Sequence, residues 1–197
     1  MIRILKAATD VAAQSQRADV SSTVADVIAD IRSHGDAAVR NYSVKFDNWD
    51  PDSFLLSPEK IEEIVATVPR QTIDDIQLVQ QNVRNFAKHQ LTSLRDFEVE
   101  TEPGVFLGQR SVPVAASGAY IAGGRYPLVA SAHMTIVTAK VAGVQRVTAC
   151  TPPIRGEVPA ATVAAMSLAG ADQILCWAAC RRWRRWPWAL RRSGGST

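Results

Sequence analysis

Apolar positions recur at helical spacing through residues 1–93 and at alternating spacing afterwards. Val24, Val27, Ile28 and Ile31 share one face of a helix, with Gly35 placed to stop it, and Asp36 to Tyr42 can open a second. Ser57-Pro58-Glu59 combines an N-cap, a proline at the first helical position and an acid in the first turn. Ile61, Ile64, Val65 and Val68 then give that helix a buried stripe. Thr72 is the expected cap of a longer helix carrying Ile73, Ile76, Val79, Val83 and Phe86 on its core face, with Asp74 and Asp75 in its first turn. The adjacent acids Glu62/Glu63 and Asp74/Asp75 point in different directions on a helix, so they read as solvated faces rather than an acid–base pair.

From residue 94 the period changes. Phe97 to Thr101 alternates, Glu102-Pro103-Gly104 turns, and Val105 to Val114 returns, which predicts a hairpin. A βαβ rhythm follows. Ser117 to Ala122 is a short strand, Ala130 to Ala142 a helix stopped by Gly143, and Arg146 to Thr151 a strand ended by Pro152-Pro153. Val158 to Ala169 is a helix stopped by Gly170, and Gln173 to Cys176 opens a third strand. The fold class is therefore α/β: a helical N-terminal region (1–93), then a hairpin and an incomplete Rossmann-like parallel sheet (94–176). Ligands of such sheets bind at the C-terminal ends of the strands, where Gly123-Gly124, Pro152-Pro153 and the end of the Cys176 strand would meet.

Composition changes this picture in one place. Residues 177–197 hold six Arg, four of the five Trp and no acid. Their +6 turns a formal net charge of −3 for residues 1–176 into +3 for the chain. Two readings stand. A tail this basic can bind nucleic acid or a membrane surface. It also reads as GC-rich coding sequence out of frame. Starting one base early, at the last base of the Cys176 codon, the first two codons must encode Leu and Gly, and the later Trp and Arg codons become mostly apolar residues. The codon argument favours the frameshift, and the nucleotides across Cys176 separate the two. With the frameshift, neither a nucleic-acid nor a membrane partner is expected.

The remaining composition is that of a globular protein, 47% hydrophobic. No run of 18 apolar residues occurs and the N-terminal apolar run is too short for a signal peptide, so a cytoplasmic protein is expected. Three cysteines (Cys150, Cys176, Cys180) suggest no disulfide framework, and Cys176-x-x-x-Cys180 lacks companion ligands for a metal site.

Candidate chemistry is sparse. No G-x-G-x-x-G follows the first strand of the βαβ region, and Gly118 to Arg125 lacks the Lys-Ser/Thr of a phosphate loop. Gly123-Gly124 is either a tight turn or a loop that lets a ligand approach. Arg125 suits an anionic substrate or a cofactor phosphate, or is a solvated loop residue. His133 either packs under the loop or contacts a ligand, while His34 and His89 sit near helix ends and read as surface residues.

The run from Gly108 to Pro153 resembles the histidinol dehydrogenase family. Gly118-Ala119-Tyr120-Ile121-Ala122-Gly123-Gly124 is similar to its G-x-Y-x-P-G-G loop, Thr138 to Val144 to its P-A-K-V-A-G-V helix, and Thr151-Pro152-Pro153 to the strand end that follows. Gly35 to Val39, Phe46-Asp47 and Gly170-Ala171-Asp172 extend the likeness over residues 10–176. The family continues with Leu-Gly-Gly-x-Gln-Ala, which is what the shifted frame of the tail gives. The resemblance implies a homodimeric dehydrogenase that uses NAD and zinc to oxidise a small-molecule amino alcohol, histidinol, to the amino acid in histidine biosynthesis. It implies a cofactor contact for Tyr120, beside Gly123 and Gly124, and places the zinc ligands and proton-transfer pair beyond residue 197, so this chain as it stands is expected to be inactive. Arg125-Tyr126-Pro127 and Ala132-His133-Met134 depart from the histidinol enzymes. That departure points to another small polar alcohol, such as a sulfonated diol, with Arg125 and His133 as candidate substrate contacts.

Overall fold

The computed structural model describes residues 11–123 and 127–177. Contacts divide the chain into two compact units that separate between Tyr42 and Ser43, and the compositional switch near residue 93 lies inside the second. In the first unit, α1 (Val11–His34) ends at Gly35, whose φ of +57° is a conformation that side chains disfavour and glycine adopts readily. α2 (Asp36–Asp47) follows at once, and the division between the units falls within it. Asp30 accepts hydrogen bonds from Tyr42 and His34, which hold its carboxyl below the usual range.

The second unit is built on a three-stranded parallel sheet in the order β3–β4–β5, comprising β3 (Ala116–Tyr120), β4 (Arg146–Thr151) and β5 (Gln173–Cys176). The β4 and β5 limits agree with the sequence reading, and β3 stops at Tyr120 rather than Ala122. Val147 to Thr151 are all buried, as expected for a central parallel strand covered on both faces. Helices α5 (Val129–Ala132) and α6 (Thr138–Val141) flank a π-helical stretch, His133–Val137, and together connect β3 to β4. The widened turn inside this helix was not legible in its apolar pattern. α7 (Ala160–Ala169) connects β4 to β5 and ends on Gly170 at φ +95°, starting two residues later than its apolar run.

α3 (Pro58–Ala66) and α4 (Arg70–Thr92) form a further layer packed on α7 and on the helix between β3 and β4. Ser57 caps α3 as expected, accepting from the Lys60 N–H at 3.2 Å. α4 departs from expectation. It begins two residues before Thr72, with Pro69 at the cap position, so Asp74 lies one turn in and pairs with Arg70 at 3.0 Å. Its buried face is Ile76, Gln80 and Ala87, with Ile73 and Val83 at the margin, whereas Val79 (44%) and Phe86 (67%) are exposed. The face is rotated because Gln80 points inward to make two hydrogen bonds.

β1 (Phe97–Glu102) and β2 (Val105–Gln109) form the expected hairpin, although β2 ends well before Val114. At the end of the sheet opposite the ligand edge, Asp172 accepts from the Lys140 ammonium and the Val147 N–H, both at 2.6 Å. Burial raises the Asp172 pKa, but these two donors outweigh it and the carboxyl stays below its ordinary range. Among the described residues no helix is long and apolar enough to cross a membrane.

The rotated face of α4 makes a direct prediction. Ile76→Ala should cost about 2–5 kcal/mol, and Phe86→Ser should change stability by no more than about 0.5 kcal/mol. Urea unfolding of the two variants measures this; the reverse ranking contradicts the assignment of the buried face.

Candidate functional site

The C-terminal edge of the sheet assembles from three strand ends. Tyr120 is the last residue of β3, half-buried and in register with Cys150 of β4. The chain then continues against β4, with the Ile121 N–H donating to the Cys150 carbonyl at 2.8 Å. At the end of β5, the Trp177 N–H donates to the Thr151 carbonyl at 2.7 Å. Pro152 and Pro153 then carry the chain to a tight turn at Arg155 (φ 55°) and Gly156 (φ 78°), closed by reciprocal bonds between Ile154 and Glu157.

Gly123 has a packing reason to be glycine that the sequence did not expose. A Cβ built there would lie 2.8 Å from Cγ of Pro152, a rigid ring that cannot swing away. The loops leaving β3 and β4 are thus in contact, and Gly123 permits it. Gly124 and Arg125 lie outside the described residues.

His133 lies elsewhere. It is 4% exposed and sits at the start of the π-helical stretch. No described contact joins it to Tyr120 or Gly123. Instead the Gln80 amide donates to the Ala165 carbonyl at 2.9 Å and to His133 Nδ1 at 3.2 Å. The orientation of this network follows from one fixed group. A backbone carbonyl only accepts, so Gln80 must present its NH₂ there, and His133 Nδ1 must then be the unprotonated acceptor. The imidazole is neutral with its proton on Nε2, and burial lowers its pKa. Gln80 went unnoticed in the sequence, although a polar residue between Ile76 and Val83 on an apolar stripe is the signal of a buried hydrogen-bonding role.

The two described cysteines are buried and free. Burial first, then the neighbouring Cys150 and Asp47, push the Cys176 thiol up to about 12, so it carries no thiolate at neutral pH. Cys180 lies outside the described residues. Among the described residues no three His, Cys, Asp or Glu side chains cluster closely enough to hold a metal ion, so these residues do not fit a zinc site. The C-terminal edge presents an aromatic residue at the end of β3, and Thr151 Oγ1 is buried there without a hydrogen-bond partner.

The family's sequence profile, described as histidinol dehydrogenase, matches residues 11–179 of this sheet-and-helix arrangement. The chain belongs to the histidinol dehydrogenase family. It is 59% identical over 155 residues to a histidinol dehydrogenase homolog of Shouchella clausii (strain KSM-K16), covering 79% of this chain and 37% of that protein. It is 45% identical over 175 residues to a sulfopropanediol 3-dehydrogenase of Ruegeria pomeroyi (strain ATCC 700808 / DSM 15171 / DSS-3), covering 88% and 40%. The crystal structure of histidinol dehydrogenase from Elizabethkingia anophelis matches the fold with a TM-score of 0.74 at 28% identity, over 89% of this chain and 38% of that one. The chain spans somewhat more than a third of the length of these relatives.

The buried Gln80–His133 contact predicts a pH dependence. The pKa of His133 is depressed in the folded chain, so the unfolded chain binds a proton at higher pH than the native one. The stability it contributes is complete above the ordinary imidazole value of about 6.5 and is lost as pH falls through that value toward the folded pKa. Urea midpoints should drop between about pH 7.5 and about pH 5, and less so in His133→Leu. Equal pH dependence in both proteins contradicts the arrangement.

Proposed function

We propose that this chain supplies the nucleotide-facing edge of a histidinol-dehydrogenase-type enzyme that oxidises a small polar alcohol with NAD. The reading rests on one observation, the placement of Tyr120 at the C-terminal end of the first parallel strand, in a family-like loop packed against the Pro152 turn. NAD, when bound, would supply the hydride acceptor for oxidation of the alcohol carbon. Tyr120 would hold the nucleotide, its ring covering part of it and its hydroxyl hydrogen-bonding. Gly123 keeps the loop low enough for that approach, with Gly124 beside it. The family resemblance implies that the metal-binding and proton-transfer groups lie in the part of the relatives' length that this chain does not match, and on that reading turnover needs those groups. The zinc and the homodimer are carried over from the family resemblance alone.

The substrate reading favoured by the residues is a sulfonated diol rather than histidinol. Arg125 offers a forked donor to a sulfonate, and the relative named sulfopropanediol 3-dehydrogenase is 45% identical. Histidinol itself remains the second substrate reading, on the family's name. His133 is a candidate substrate contact through Nε2–H only, since its Nδ1 is taken by Gln80.

Titration of the chain with NAD tests the cofactor reading. Tyr120→Phe and Tyr120→Ala should weaken binding progressively, by about 1–2 kcal/mol, with little change in melting temperature. Unchanged affinity together with a large loss of stability makes Tyr120 a packing residue and overturns the reading. NADH production by the chain alone, from L-histidinol or a sulfonated propanediol, overturns the claim that further residues are required.

A further inference from the structure

We infer that α4 and α6 hold a second ligand site, for the phosphate of a small organic monoester, at the end of the sheet opposite Tyr120. Where α4 packs on α6, Arg84, Lys88, Leu91 and Thr92 face Lys140 and Val141 across a cavity of about 490 Å³ that is open to solvent. Small-molecule sites span about 300–1,000 Å³. Lys140 fixes the place of this cavity in the fold. Its ammonium donates to the Gln145 carbonyl at 3.0 Å and to Asp172 at 2.6 Å, both beside the N-terminal ends of β4 and β5. The site is therefore separate from the C-terminal edge and does not rest on the cofactor reading.

The charges around this cavity are not balanced. Asp172 is already engaged, accepting from the Val147 N–H as well as from Lys140. Lys140 commits two of its three ammonium protons to Gln145 and Asp172, which leaves one. Among the described residues, the Arg84 and Lys88 side chains form no ion pair and no hydrogen bond. Arg70, at the start of the same helix, is paired with Asp74. Arg84 and Lys88 also lie four residues apart on one face of α4, where like charges repel each other. The carbonyls at the C-terminal end of α4 account for neither cation, because the last turn carries His89 instead.

The lining names the ligand's chemistry. Three cations around one open space, against one engaged carboxylate, favour a doubly charged anion over a singly charged one. A phosphate monoester carries close to two negative charges at neutral pH. The Arg84 guanidinium offers a forked pair of donors that matches two phosphate oxygens, and Lys88 and Lys140 add compact charges. Leu91 and Val141 give the cavity an apolar wall that bare phosphate leaves uncovered and an organic group covers. An anion held between Arg84 and Lys88 also removes their mutual repulsion.

The test titrates the full 197-residue chain with phenyl phosphate at low salt, without NAD. Calorimetry should give saturable binding with a Kd below about 1 mM, at least about threefold tighter than for inorganic phosphate. Arg84→Gln and Lys88→Gln should each weaken it about fivefold or more and leave the melting temperature of the unliganded chain near that of the parent. Arg95→Gln, which removes an exposed cation outside the cavity, should leave the affinity unchanged. If the glutamine variants do not fold, amide chemical shifts of the parent decide: saturating shifts at Leu91 and Val141 support the proposal, and unmoved ones overturn it. No saturation by about 10 mM, or inorganic phosphate bound as tightly as phenyl phosphate, also overturns it. An affinity that Arg84→Gln or Lys88→Gln leaves unchanged, or that Arg95→Gln weakens equally, assigns the anion elsewhere, the six arginines of residues 177–197 included, and overturns it as well.

Discussion

A parallel sheet leaves no backbone group in its interior free to meet water, so every strand must be satisfied along both margins or end the sheet. That constraint organises the second unit. β4 is paired on both sides and buried along Val147 to Thr151. β5 is paired with β4 on one side and with residues 54–56 on the other. The segment before α3 is thus part of the sheet, and it brings α3 and α4 over the helices that connect the strands. Cys176 is held by that pairing through the Phe54 carbonyl, and Trp177 by β4 on the other side through the Thr151 carbonyl.

The C-terminal edge of the sheet depends on that frame more than on any single polar residue. Gly123 is determined by contact with Pro152, and Pro152 by the end of β4. Tyr120 takes its position from its register with Cys150. Behind the edge, the helix that follows the glycine loop is tied to α4 and α7 through Gln80, whose amide reaches both His133 and the Ala165 carbonyl. A buried polar network of this kind costs free energy when one partner is lost, so it fixes the helix in one place.

Much of this was legible in the residues. The βαβ rhythm, the Ser57 cap, the hairpin and the helix stops at Gly35, Gly143 and Gly170 each depend on local chemistry that a sequence states outright. The limits that moved have tertiary causes. α4 turned its stripe because Gln80 has partners in two other helices, leaving Val79 and Phe86 outside. The pairing of residues 54–56 with β5 joins segments more than a hundred positions apart, and no local pattern around Leu55 announces it. Gly123 looked like a turn or a ligand loop because its neighbour in space, Pro152, is distant in sequence. The family likeness was carried by the strand–loop–helix residues from Gly108 to Pro153, where geometry constrains residue type most tightly.

Amide hydrogen exchange on the 197-residue chain tests this account most directly. The amides of Leu56, Cys176, Trp177 and Ile121, each bonded across the sheet, should exchange slowly and together, through opening of the whole second unit. The amide of Gly118, which points away from β4 and pairs with no described residue, should exchange orders of magnitude faster. A fast Leu56 amide, or a Gly118 amide as protected as that of Ile121, contradicts the pairing on which the account rests.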